Sequence, residues 1–490
     1  MLTYSFENIG NTSLYEHLYN CIKNDITIGN LKNGCRLPSK RSFAKNLGIS
    51  SITVENAYAQ LMAEGYIYSV PKKGYYVSDV SQILTVPAFS APADISSLLV
   101  SQNSSAISAA ANNTLLPVDT VGAESEPQYF ADLTSNYTNK DNFPFYTWAK
   151  LTKEVMADSA SDLLTASPAA GTYQLREAIS RHLIAFRGMQ VSPEQIVIGA
   201  GTEYLYGLLI QLLGREKTFA VEDPGYRKIS LIYESNNVNC VFLPVTNEGI
   251  DTAVLAKSQA DIIHISPSHH YPTGIVTPVA KRYELLGWAA KSDDRYIIED
   301  DYDSEFRLFG KPIPSLQSID ISGKVIYINT FTKTLTPTIR ISYMVLPTPL
   351  LELFNQKLSF YSCTVSNFEQ YTLARFIEAG YFEKHINKMR IFYKKQRNSL
   401  INAINSGELS KLVKIHEADA GLHFLLEVKT RLSDEELIKK ARKNGLKIVC
   451  LSQYYHNADN AVFHTLIINY SGIAPDSIND TIDRLCRTLE

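Results

Sequence analysis

Tyr327-Ile-Asn-Thr-Phe-Thr-Lys333-Thr-Leu-Thr-Pro-Thr-Ile-Arg340 reads as an apolar strand that runs into a hydroxyl-rich turn. Thr330, Thr332 and Thr334 crowd Lys333, and Arg340 follows seven residues later. A lysine so placed can condense with an aldehyde to a Schiff base, while hydroxyls and a guanidinium hold a phosphate through charge-assisted bonds. Pyridoxal phosphate carries both groups. The expectation is therefore Lys333 as the catalytic-type amine, joined to that cofactor at the end of a strand.

Four more apolar runs end in polar clusters. Gln195-Ile-Val-Ile198 meets Gly199-Ala-Gly201-Thr202-Glu203, and Phe219-Ala-Val-Glu222 meets Asp223-Pro-Gly-Tyr226. Asp261-Ile-Ile-His-Ile265 meets Ser266-Pro-Ser-His-His-Tyr-Pro-Thr-Gly274, and Arg295-Tyr-Ile-Ile298 meets Glu299-Asp300-Asp301-Tyr302. Helical patterns over Tyr204–Leu213 and Lys281–Ala290 alternate with them, which predicts a mainly parallel α/β sheet covered on both faces. Such sheets bind ligands beyond the carboxyl ends of their strands. All five polar clusters fall there. Gly201, Thr202 and Glu203 open a helix whose N–H groups suit a phosphate, with Thr330, Thr332 and Arg340 completing the cup. Asp300 is the candidate partner of a pyridine nitrogen, and Asp301 and Asp303 compete for that role. Tyr302 is placed for the phenolic oxygen of the cofactor and Tyr226 for stacking on its ring.

Residues 1–78 form a separate block. Leu14, Leu18 and Ile22 recur at helical spacing, Ser39 is a candidate N-cap, and Gly48-Ile-Ser50 turns into a helix. On that helix Val54, Ala57, Tyr58, Leu61 and Met62 share one face. Tyr66-Ile-Tyr68 and Tyr75-Tyr-Val77 flank a Lys72-Lys73-Gly74 tip, so the block predicts a winged helix-turn-helix. Between Lys32 and Tyr76 seven basic residues stand against two acidic ones, inside a chain of net charge −3. Such a local positive patch is the footprint of a double-stranded DNA partner. Residues 79–127, rich in Ser, Ala, Asn and Pro, have the composition of a flexible linker.

The 490 residues exceed one core, and 45% hydrophobic with 20% charged content describes an ordinary soluble protein. Six scattered cysteines suggest neither a metal site nor a disulfide framework. The first residues lack a signal-peptide pattern and no apolar run approaches membrane-spanning length, so a cytoplasmic protein is expected.

Leu37-Pro-Ser-Lys-Arg41, Leu47-Gly-Ile-Ser50, Thr53-Val-x-x-Ala57-Tyr58-x-x-Leu61, Glu64-Gly-Tyr-Ile67 and Lys73-Gly74 resemble the winged helix of GntR-family regulators. The resemblance implies DNA contacts from Ser39, Lys40, Arg41, Ser50, Ser51, Thr53, Lys72, Lys73 and Gly74. One departure is Ser51, where these regulators often carry a basic residue. Asp300-x-Tyr302, Asp-Pro-Gly-Tyr226, Ser268-His269-His270-Tyr271-Pro272-Thr-Gly274 and Thr-Phe-Thr-Lys333 resemble fold-type-I aminotransferases. In this order the two modules resemble the MocR subfamily of regulators. That resemblance implies a homodimer, a pyridoxal-phosphate-binding body over 128–490 whose smaller C-terminal α+β subdomain covers about 350–490, and His270 near the cofactor oxygen. It implies a transcriptional regulator whose DNA binding responds to pyridoxal phosphate or to an amino compound reacting with it. The alternative is an active aminotransferase carrying a winged helix. Against that alternative, Thr465-Leu-Ile-Ile-Asn-Tyr-Ser471 lacks the arginine with which aminotransferases hold the substrate α-carboxylate, and the tyrosine that often stands just before the Gly-x-x-x-Leu-Arg segment is absent before Gly171, with only Tyr173 close by. The missing arginine favours the cofactor itself, or an amine without an α-carboxylate, as the signal.

Overall fold

The computed structural model describes Tyr4 and residues 13–63, 66–70, 73–78, 129–135, 141–308, 314–417 and 421–490. Lys72 and the expected linker, 79–127, lie outside the described residues. The chain divides into two compact units, Met1–Ala123 and Glu124–Glu490.

In the first unit, helical spacing of apolar residues makes three helices close on one core. They are α1 (Leu14–Thr27), α2 (Lys40–Leu47) and α3 (Ser51–Ala63). Leu18, Ile22, Phe43, Val54, Tyr58 and Leu61 are fully buried between them. Ser39 caps α2, its hydroxyl accepting from Ser42 N at 3.2 Å, an arrangement worth about 1 kcal/mol. Gly48, at φ 68°, takes the left-handed turn that ends α2 and frees the chain to begin α3. Strand β1 (Arg36–Leu37), β2 (Ile67–Val70) and β3 (Gly74–Val77) form an antiparallel sheet in the order β1-β3-β2. This is the winged helix-turn-helix expected from the sequence.

The second unit is built on eight strands. Their order is Ile196–Ala200, Ile341–Val345, Val325–Thr330, Tyr296–Asp300, Ile262–Ile265, Thr218–Asp223, Asn239–Thr246 and Gly249–Ile250. Neighbours from Val325–Thr330 through Asn239–Thr246 run parallel. Ile341–Val345 is antiparallel to both of its neighbours, so Ile196–Ala200 points the same way as the parallel set. All five strands legible in the sequence therefore end at one edge. Short of their polar carboxyl ends their side chains are mostly apolar and buried, because helices cover both faces.

A smaller antiparallel sheet of Val413–His416, His423–Val428 and Thr465–Asn469 has its own core. Phe424, Leu426, Leu466, Ile468 and Tyr470 pack there with Met389, Tyr393 and Leu400 of the helix Tyr381–Ser406 and Ile482 and Leu485 of the helix Ile478–Leu489. Among the described residues no helix is long and apolar enough to cross a membrane.

Candidate functional site

The strand ends of the larger sheet and the inner face of the smaller one enclose a cavity of about 410 Å³. Lys333 stands on a short helix, Phe331–Thr334, formed where the central strand stops. The Thr330 hydroxyl caps that helix by accepting from Thr332 N (3.1 Å), donates to Thr332 Oγ1 (2.9 Å) and accepts from Ser342 Oγ (2.8 Å). Across the cup, Gly201 at φ +90° precedes the helix Thr202–Leu213, whose first turn presents its N–H end to the cavity. Arg340 lies over Gly201. A Cβ on Gly201 would collide with Arg340 Nη2. Arg340 itself holds φ 49°, a left-handed conformation uncommon outside glycine, and its guanidinium stands 3.5 Å from Glu203, which also pairs with Lys228.

Asp300 Oδ2 accepts from Tyr206 Oη at 2.6 Å, and His264 Nε2 stands 3.5 Å from the same oxygen. Asp300 Oδ1 is buried and has no partner among the described residues. Such an oxygen calls for a donor that enters the cavity. Burial pushes the Lys333 ammonium below the ordinary lysine range, against Asp303 and Asp300, whose charges pull it up. The net effect favours the neutral, nucleophilic amine. The site thus offers an amine, an anion cup with a guanidinium, and a carboxylate for a protonated ring nitrogen.

Thr202, Glu203, Tyr226, Asp300, Tyr302, Thr330, Thr332, Lys333 and Arg340 all line this cavity, with Gly201 beneath Arg340. Among the competitors, Asp303 lines it too. Asp301 turns the other way, its Oδ2 accepting from Arg187 Nη2 (2.7 Å), Tyr327 Oη (2.6 Å) and Ser304 Oγ (2.8 Å). Arg187 also donates to Ser268 Oγ (3.0 Å), so one buried guanidinium ties the ends of two strands together beneath the cavity. His270 does not line the cavity. Its Nδ1 bonds Thr273 Oγ1 (2.6 Å), its Nε2 stands 3.5 Å from Glu222, and its neighbour Tyr271 takes the lining position instead.

In the winged helix, Arg41, Ser51 and Lys73 are exposed. Lys40 is held by Glu55 at 2.6 Å. Ser50 spends its hydroxyl on the start of α3, accepting from Thr53 N (3.1 Å) and bonding Thr53 Oγ1 (2.8 Å). Gly74 carries φ +119°, and a Cβ there would touch the guanidinium of Arg36 at 3.4 Å, so Arg36 reinforces the wing's positive charge.

Residues 14–77 match the family described as bacterial regulatory proteins, gntR family. Over 475 residues the chain is 36% identical to the uncharacterized HTH-type transcriptional regulator YdeL of Bacillus subtilis, covering 96% of each. It is 31% identical over 474 residues to the probable rhizopine catabolism regulatory protein MocR of Rhizobium meliloti, covering 96% of this chain and 93% of that one. The chain belongs to the MocR subfamily of GntR-type transcriptional regulators. The body of this MocR-type chain is also similar to the kynurenine aminotransferase of Pyrococcus horikoshii, with a TM-score of 0.65, 26% identity, and coverage of 74% of this chain and 91% of that one. The full-length likeness is to regulators, which favours regulation over the alternative of a working aminotransferase.

Sequence reading of the MocR-type body missed Tyr206 and His264 around Asp300, and Tyr271, His423, Asn469, Thr134 and Ser135 in the lining. For His264 there was a signal, a lone histidine in the otherwise apolar run Ile262-Ile-His-Ile265.

Burial holds several imidazoles neutral, with His182 pushed down to about 4, His270 to about 3, and His385 and His423 also lowered. In the unfolded chain these groups take up protons near pH 6.5; in the folded chain they do so only well below it. Stability is therefore full above pH 6.5 and falls as the pH drops towards 4. Thermal melts from pH 7.5 to 4.5 are expected to show that decline. His182→Phe, which keeps the stacking on Phe186, should flatten it by up to roughly 3 kcal/mol. An unchanged pH slope in the variant would rule out His182 as a contributor.

Proposed function

We propose that the winged helix binds operator DNA and that the Lys333 cavity holds pyridoxal phosphate. Occupancy, by the cofactor alone or with an amino compound, sets the affinity for DNA. The observation that carries this reading is a buried Asp300 Oδ1, unpartnered among the described residues, in one cavity with Lys333 and Arg340, which lies over Gly201. The three ends of the cofactor, ring nitrogen, aldehyde and phosphate, ask for these three groups. When bound, the cofactor supplies an electrophilic carbon that captures primary amines. Lys333 would hold it covalently. Arg340, Thr202, Thr330 and Thr332 would grip the phosphate, and Asp300, steadied by Tyr206, would keep a proton on the ring nitrogen. Tyr302 and Tyr226 line the remaining sides.

We place the protein in the cytoplasm, where DNA and reduced thiols are found, as a homodimer. The very exposed Tyr146, Leu164 and Phe360 support a partner copy. A ligand changes DNA affinity only by binding two conformations of the body unequally, and couplings of this kind are about 5- to 150-fold. Titration of the full chain onto its own upstream region and neighbouring promoters, with and without pyridoxal phosphate, is expected to show a shift of at least about 5-fold. Equal binding in both conditions would remove the linkage and leave DNA binding standing. Conversion of amino acid plus keto acid at enzyme-like rates would restore the aminotransferase reading.

A further inference from the structure

The cavity is also lined by His423 and Asn469 of the smaller sheet, by Leu422 just before it, and by Tyr271 and Asp303. Asp303 is fixed in place: its Oδ2 accepts from His269 Nδ1 at 2.8 Å, and the His269 ring packs on His423, centroids 4.7 Å apart. His423 donates from Nε2 to Pro272 O at 3.2 Å, which leaves its Nδ1 an acceptor. Burial keeps that ring neutral. Asn469 is anchored by its Oδ1, which accepts from Ser471 N (3.0 Å) and Ser471 Oγ (2.7 Å).

The charges in the lining are unevenly placed. Of its cations among the described residues, Arg340 and Lys228 are both drawn to Glu203 at the phosphate cup, and Lys333 is the attachment point. The strand Thr465–Asn469 brings Leu466, Ile467 and Ile468, all buried and apolar, and then Asn469. Outside the cup the lining therefore includes a fixed carboxylate, a neutral imidazole acceptor and an amide. A carboxylate brought there would meet Asp303 as a like charge, whereas a donor would find acceptors already oriented.

We propose that the ligand taken beside the cofactor is a small amine without a carboxylate, bearing a second donor group, hydroxyl or ammonium, that Asp303 and His423 Nδ1 accept. This rests on the cofactor reading above and names the chemical class that the same cavity selects. Asp303 thereby becomes a specificity-determining residue.

The test is calorimetric titration of the full-length chain loaded with pyridoxal phosphate. Ethanolamine and 1,4-diaminobutane are compared with L-alanine and β-alanine, and attachment at Lys333 is read in the same sample by borohydride reduction and mass spectrometry. The two donor-bearing amines are expected to bind at least about 10-fold more tightly than the two amino acids. Asp303→Asn should abolish that preference. Asn469→Asp, which retains the bonds to Ser471 and adds a negative charge, should widen it, so a poorly folded Asp303 variant does not end the test. Cofactor attached at Lys333 with amino acids bound as tightly as the amines, or an unchanged ratio in both variants, overturns this ligand class alone. Absence of cofactor on Lys333 overturns the cofactor reading as well.

Discussion

Lys333→Ala is expected to fold normally, to carry no reduced cofactor after borohydride treatment, and to bind pyridoxal phosphate at least ~100-fold more weakly, about 2.8 kcal/mol. The reason is local. The Lys333 side chain faces the cavity from a four-residue helix whose geometry is set by Thr330, Thr332 and Ser342, none of which depends on the amine. Removal leaves the hydrophobic cores untouched, so the thermal midpoint of the unloaded chain should barely move. DNA binding should survive while losing its response to the cofactor. Mass spectrometry of the reduced protein separates the outcomes. An adduct elsewhere on the variant would move the attachment point, and a variant still tuned by the cofactor would show that covalent capture is dispensable.

The second large effect is expected from Gly201→Ala. Two penalties coincide at this position. The backbone at φ +90° is one that side-chain-bearing residues adopt only under strain, at a cost of order 1–3 kcal/mol. The new methyl would also collide with Arg340 Nη2, so the guanidinium must leave its place over Gly201, from which it would grip a phosphate. Affinity for pyridoxal phosphate should fall at least ~10-fold, whereas affinity for pyridoxal, which has no phosphate, should hold. The comparison isolates the cup. Equal losses for the two vitamers would mean general damage to the pocket and would sink the assignment of Arg340 to the phosphate.

Much of this was legible in the sequence because the signals were local. The Lys333 turn, the five apolar runs and the apolar stripe of α3 each declare themselves within a dozen residues. The strand Ile341–Val345 was not read, since it follows the arginine turn directly and joins the sheet antiparallel within an otherwise parallel set. The resemblance puts His270 near the cofactor oxygen, whereas Tyr271 is the residue of that pair that lines the cavity. In an irregular segment, which of two adjacent side chains faces the ligand depends on partners elsewhere, here Thr273 and Glu222 for the histidine. Asp301 was left open for the same reason, because its partner Arg187 comes from a distant helix. His423 and Asn469 arrive from a second sheet, and no local pattern announces such an approach.

The cavity has one wall from each of two separately packed cores, and Arg187 locks the strand ends of the larger one. His423 bonds Pro272 O across the gap, and the Asp223 carboxylate accepts from His456 N and Asn457 N, so the two walls are stitched together at their rims. A slot held at one width by such stitches sorts its guests by thickness, quite apart from their charge.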